Sequence, residues 1–253
     1  MYINKFSLTC DPETEGYPSE KITDGWIYVN GEEIGVFELP ALVPVLQSGE
    51  ADIIVLPGIK ENGISGIGVI YPFYKGFTTT ISVAETETDT LYPSTSYYPE
   101  DSFILAERFE LGNAFSPSAF SDTSFVIVTD PADVFEGSRS IKGVLEGGNY
   151  FFRSATYPLT LPEVGNPVYM ELDYKGDTAF EVWIEGTDLI SVSSRYVITV
   201  SPKEDWNKIY VNLYESVQAL QKDTYKLEIR FDRTDAVPSA SVFIDNVKIV
   251  ADF

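Results

Sequence analysis

Three runs of strict alternation carry the residues best suited to chemistry. Apolar residues recur at every second position as Val168, Met170, Leu172 and Tyr174, then Phe180, Val182 and Ile184, then Tyr225, Leu227, Ile229 and Phe231. That is the period of a strand with one buried face. The opposite face receives Tyr169, Glu171 and Asp173 from the first run, Glu181, Trp183 and Glu185 from the second, and Lys226, Glu228, Arg230 and Asp232 from the third. An indole and a phenol offer flat apolar planes to the C–H faces of a sugar ring, while carboxylates and a guanidinium take its hydroxyls. Tyr169, Glu171, Trp183, Glu228 and Arg230 therefore form the candidate ligand-binding set. The same pattern also describes a solvated sheet face with cross-strand charge pairs and an incidental tryptophan. A glycosidase carboxylate pair drawn from Glu171, Glu185 and Glu228 is a third chemistry, but it needs an acid desolvated enough to keep its proton, which an open sheet face does not supply.

Composition removes several other classes. The 253 residues contain no histidine, which excludes a Ser-His-Asp triad, a Cys-His dyad, His-ligated zinc and a histidine pH switch. Cys10 is the single cysteine, so no disulfide forms within the chain, and its expected role is that of a small packed residue. Thirty-nine Asp and Glu against 17 Lys and Arg leave a net charge of -22, which repels phosphate backbones and anionic membrane surfaces. Nucleic acid is excluded as a partner on that ground, and cations or neutral polyols are the ligands such a field tolerates. An aromatic content of 14% rules out a disordered acidic tail. Gly63-Ile-Ser-Gly-Ile-Gly68 lacks the Lys-Ser/Thr of a phosphate loop and no helix follows it, so it reads as a turn.

Glycine and proline punctuate the chain at short intervals and long helix-period windows are missing, so the chain reads as all-β. One brief helix is expected at 215–220. Near the N-terminus Asn30-Gly31 lies between Trp26-Ile-Tyr-Val29 and Glu33-Ile-Gly-Val-Phe37, a signature of a hairpin with a type I′ turn. About seven short strands predict an immunoglobulin-like or prealbumin-like sandwich over residues 1–90. The Thr/Ser/Pro-rich acidic stretch that follows predicts a linker at 91–102, with Tyr92, Tyr97 and Tyr98 lying against a domain surface. No apolar run approaches the length of a membrane span.

From 103 to 253 the chain reads as one succession of short strands. It opens with Phe109-Glu110, continues through Gly137-Ser-Arg-Ser-Ile-Lys142 and Trp206-Asn-Lys-Ile-Tyr-Val211, and closes with Ser241-Val-Phe-Ile-Asp-Asn-Val-Lys-Ile-Val250. In strand order and end motifs it resembles the galactose-binding-like jelly rolls that carry many carbohydrate-binding modules. The resemblance implies two facing sheets, one of them holding 138–144, 168–175, 180–185 and 225–232, which would gather the candidate set on one face. Leu172, Val182, Leu227, Ile229, Ile244 and Val247 are then expected in the core. It also implies a structural calcium ion where the first and last strands meet, held by Glu110 and Asp245, with carbonyls and Asp130 or Asp133 completing roughly six to eight oxygens. The alternative has Glu110 facing solvent and Asp245 capping a turn.

The whole chain resembles the two-domain lipid-anchored surface proteins of Gram-negative bacteria that scavenge polysaccharide, on Lys21-Ile-Thr-Asp-Gly-Trp-Ile-Tyr-Val29, Gly35-Val-Phe-Glu-Leu-Pro40 and Leu56-Pro-Gly-Ile-Lys60. That likeness implies an extracytoplasmic place at the outer membrane or cell surface. The anchor would lie in a segment this chain does not include, because Cys10 is too far into the first strand to be lipidated. A polysaccharide or glycan, and envelope proteins, are the partners it implies. The expected function is noncatalytic glycan binding or surface adhesion, with a structural docking module as the rival.

Overall fold

The computed structural model describes residues 1–66, 68–84, 87–162 and 165–253. They form two compact units, one of Met1–Asp11 with Pro18–Asp101 and the other of Pro12–Tyr17 with Ser102–Phe253.

The first unit contains β1 (Tyr2–Ile3), β2 (Ser7–Leu8), β3 (Ile22–Val29), β4 (Glu32–Glu38), β5 (Ala41–Leu42), β6 (Gly49–Ile59), β7 (Val69–Ile70), β8 (Phe77–Val83), β9 (Thr90–Leu91) and β10 (Ser94–Thr95). Its main sheet runs β4-β3-β6-β7, with β8 also on β6. Val29 pairs with Glu32 across Asn30 and Gly31, whose φ angles of 51° and 83° are the positive values a type I′ turn demands. The stretch expected as a linker is instead built into this unit. β9 runs parallel to β1 and β10 parallel to β2. Tyr97 is 2% exposed, its ring 5.0 Å from that of Tyr74, so its aromatic area is spent on packing. Glu85 and Thr86, just before that stretch, and Ile67 of the glycine-rich turn lie outside the described residues.

The second unit is a β jelly roll. Its strands are β11 (Ser102–Glu107), β12 (Phe115–Pro117), β13 (Val126–Val128), β14 (Ser140–Glu146), β15 (Phe151–Thr156), β16 (Val168–Gly176), β17 (Phe180–Thr187), β18 (Val192–Val200), β19 (Lys203–Asn212), β20 (Thr224–Asp232) and β21 (Ser239–Ala251), with α1 (Tyr214–Leu220) before β20. One sheet runs β13-β14-β21-β16-β19 with β11 on β21, and the other runs β12-β15-β20-β17-β18. All pairings in both are antiparallel. Leu172, Val182, Leu227, Ile229, Ile244 and Val247 are all fully buried in the core, as alternation required.

The partition of strands departs from the sequence reading. β14 and β16 lie in one sheet and β17 and β20 in the other, so the four strands do not make one array. The cause is local to 176–179. Gly176 approaches β21 so closely that a Cβ would meet the Ser241 carbonyl oxygen at 2.5 Å. Asp177 donates its N–H to that carbonyl and accepts from the Ser241 N–H and hydroxyl at 2.7 and 2.8 Å. These bonds pin the end of β16 to β21, and the chain crosses to the opposite sheet instead of turning back beside β16.

Candidate functional site

The outer face of the second sheet is laid out in two rows by strand register. Ala155, Glu228, Trp183 and Tyr196 face each other across β15, β20, β17 and β18, and Arg153, Arg230, Glu181 and Thr199 form the next row. Alternation aims these side chains outward because Val182, Ile184, Leu227 and Ile229 are fully buried between them. A β-bulge completes the face. Val182 pairs with Ile198 but Trp183 with Tyr196, so Val197 is the extra residue, and it packs against the core while Tyr196 turns out at 45% exposure.

The rows are cross-linked by charge. The Arg230 guanidinium lies 4.1 Å from the centre of the Trp183 ring, a cation–π contact. Its Nε donates to Glu228 Oε2 at 2.7 Å, and Nη2 is 2.5 Å from the same oxygen. Trp183 Nε1 donates to Glu181 Oε2 at 2.7 Å. The Tyr196 ring meets Trp183 edge-on at 5.7 Å, with its hydroxyl 3.0 Å from Thr199 Oγ1. Each polar group is thereby held before any ligand arrives. Beside this cluster opens a hollow of about 160 Å³ lined by Arg153, Ala179, Glu181, Thr199, Arg230, Phe231 and Asp232.

Of the five residues expected in the ligand-binding set, the fold brings together Trp183, Glu228 and Arg230. Tyr169 and Glu171 belong to β16 in the other sheet, and both are buried, at 5% and 0% exposure. Glu171 forms an ion pair of 2.9 Å with Lys208 there. Sequence reasoning set Glu181 on the right face without giving it a role, and it missed Arg153, Thr199 and Tyr196. Arg153 follows Phe151-Phe152, which reads as packing, and the bulge at Val197 hides Tyr196 from any period-two reading.

Glu110 and Asp245 both close on the 135–139 loop, yet their oxygens are spent on amides. Glu110 accepts from the Ser138 N–H and hydroxyl at 2.8 and 2.6 Å and from the Arg139 N–H at 3.2 Å. Partial burial works against its ionisation, and these hydrogen bonds outweigh it, holding the carboxyl below its ordinary range. Asp245 accepts from the N–H groups of Phe135 and Glu136 at 3.2 Å and of Asn246 at 2.7 Å. Its burial pushes the carboxyl up to about 7 despite them. Asp133 is paired with Lys175 and Asp130 accepts from the Ala132 N–H. Calcium takes roughly six to eight oxygens, and among the described residues no group of three or more Asp, Glu, Cys or His could hold a metal, so carbonyls would have to supply most of the shell.

Fold and face together define a class: an all-β chain whose larger unit is a jelly roll carrying an open face of aromatic and charged side chains. No protein-family model and no curated protein matches the chain. Among solved structures it is similar to a family 11 carbohydrate-binding module from Clostridium thermocellum in complex with a β-1,3-1,4-mixed-linked tetrasaccharide. The two share 12% identity with a TM-score of 0.43, over 59% of this chain and 94% of that one. It is similar also to TmCBM61 in complex with β-1,4-galactotriose, at 13% identity and a TM-score of 0.37, over 56% of this chain and 92% of that one.

Proposed function

We propose that this chain is a noncatalytic glycan-binding protein acting outside the cytoplasm, with the Trp183 face of the jelly roll as its binding surface. The observation that carries the reading is the cluster on the outer sheet face, where Trp183 and Glu181, and Arg230 and Glu228, are linked at 2.5–2.7 Å beside an exposed Tyr196. Sugars bind through weak contacts, so donors and aromatic edges already fixed in place reduce the ordering cost that otherwise consumes the gain. Glu181 and Glu228 orient Trp183 and Arg230, a binding task rather than bond cleavage. A cell-surface location, with adhesion and envelope protein partners, belongs to the same reading, because polysaccharide polymers are met there. Among the described residues no helix is long and apolar enough to cross a membrane.

Native affinity electrophoresis through gels containing insoluble or soluble polysaccharides tests it. Retardation by at least one polysaccharide, lost in Trp183→Ala with the fold intact by circular dichroism, is the expected result. Equal mobility in every gel, together with capture of a protein partner from envelope extracts, would replace this reading with a docking module.

A further inference from the structure

The hollow beside Trp183 bears on which glycans the face takes, an inference that rests on the reading above. Its 160 Å³ holds about five waters at roughly 30 Å³ each. Arg153 Nη1 donates to Asp232 Oδ1 at 2.6 Å and to the carbonyls of Phe152 and Phe231. Arg230 is held by Glu228, and Glu181 by the Trp183 indole. Among the described residues this leaves Nε and Nη2 of Arg153 and Nη1 of Arg230 as donors without a partner, and Oε1 of Glu181 and Oδ2 of Asp232 as acceptors without one.

Donors and acceptors therefore share the walls of one hollow. A hydroxyl both donates and accepts, so a vicinal pair of hydroxyls meets a guanidinium with its oxygens and a carboxylate with its hydrogens. A carboxylate or sulfate group on the sugar can answer only the donors, and its charge faces Glu181 and Asp232 at close range. Two guanidiniums against the three carboxylates Glu181, Glu228 and Asp232 leave the cluster one net negative charge, in a chain of net charge -22.

The face also continues past the hollow. Phe151, 51% exposed, pairs with Asp232 in register and lies 6.0 Å under the Arg153 guanidinium, as Trp183 lies under Arg230. Three strand spacings of ~4.8 Å and four residues of ~3.3 Å set Phe151 and Tyr196 on the order of 20 Å apart, longer than a disaccharide. We infer that the face selects neutral linear polysaccharide, seating the vicinal hydroxyls of an internal residue between Arg153, Arg230, Glu181 and Asp232, with Phe151 stacking on a ring further along the chain.

Isothermal titration calorimetry with cello-, manno- and xylo-hexaose, their disaccharides, and a hexameric polygalacturonate fragment tests the inference. At least one neutral hexasaccharide is expected to bind, its disaccharide at least roughly tenfold more weakly, and the uronate fragment not at all. Phe151→Ala should weaken the hexasaccharide roughly tenfold and leave the disaccharide unchanged. The pair Glu181→Gln and Asp232→Asn should admit the uronate. A uronate bound as tightly as the neutral hexamer by the unaltered protein, a disaccharide equal to the hexamer, or a silent Phe151→Ala would each overturn it. Trp183→Ala separates the two levels: neutral glycan binding that survives it sinks the binding-face reading itself, and binding lost with it leaves the neutral-chain inference to be decided by the other arms.

Discussion

Glu171 with Lys208 on one sheet of the jelly roll, and Glu228 with Arg230 on the other, are both carboxylate–cation pairs on positions that alternation turns away from the core. The first pair is 0% and 2% exposed, the second 9% and 22%. Around the first lie Asp173, Asp245, Asn246 and Lys248, none more than 1% exposed. Part of that cover comes from the 12–17 segment: Lys248 Nζ donates to the Tyr17 carbonyl at 2.7 Å, and the Tyr17 N–H donates to Asn246 Oδ1 at 3.0 Å. The lesson is that alternation assigns a residue to a face, and only tertiary cover decides whether that face meets water. A charge pair that water can reach is free to orient a ligand, whereas a buried one is committed to the fold.

The sharpest way to break this contrast is to remove one member of the buried pair. Glu171→Ala leaves the Lys208 ammonium desolvated without its carboxylate, and a loss of about 3–5 kcal/mol in urea unfolding is expected. Replacing Glu171 and Lys208 together by Met should recover part of that loss, because both charges of the pair are then removed. A single substitution costing under about 1 kcal/mol would mean that water reaches the pair.

The buried side should also carry the pH dependence. The Asp245 carboxyl stands at about 7 in the fold against 3.8 for an ordinary aspartate, chiefly through burial, with the Asp173 charge as a lesser cause. Below about 3.8 both folded and unfolded chains hold the proton. Between 3.8 and about 7 the unfolded chain releases it while the folded chain keeps it. The contribution of Asp245 is therefore full at low pH and lost as pH rises to about 7. Asp245→Asn should remove this component, so wild type minus variant stability should fall across that window. A flat difference would show that the carboxyl is solvated.

How much of this was open to sequence reading follows from what alternation encodes. The core face of 168–174, 180–184 and 225–231 was legible because each buried side chain recurs at period two, and the Asn30-Gly31 turn because few other pairs accept two positive φ angles. Sheet membership was not, since alternation says nothing about which strand lies alongside. The three residues between β16 and β17 read as a hairpin turn but cross between sheets, under the hold of Ser241, 64 residues later. Burial of Tyr169 and Glu171 was hidden for the same reason. So was the outward turn of Tyr196, which depends on a bulge against β17. The hold of Glu110 and Asp245 on the amides of the 135–139 loop was likewise hidden, because no side-chain pattern announces it.

On the exposed side the same kind of deletion should be mild for the fold. Trp183→Ala removes a cation–π contact and an indole hydrogen bond at a half-buried position, and a stability loss of about 1 kcal/mol or less is expected by thermal unfolding. A loss as large as that for Glu171→Ala would make Trp183 a structural residue and erase the contrast between the two faces.

The smallest expected effect concerns calcium. An ion bound only by the folded chain would raise its stability by about 2.7 kcal/mol at one hundred times the dissociation constant, a shift easily read in a thermal scan. Here five hydrogen-bond donors on the 135–139 loop compete with any cation for Glu110 and Asp245: three on Glu110 from Ser138 and Arg139, and two on Asp245 from Phe135 and Glu136. A cation would have to displace N–H groups that cannot turn away without unwinding the loop. The melting temperature is therefore expected to be the same with millimolar calcium and with chelator. Glu110→Gln should lower it under both conditions alike, because a neutral amide accepts the Ser138 and Arg139 donors less strongly than a carboxylate. A calcium-dependent rise that Glu110→Gln abolishes would instead show the loop giving way to a metal.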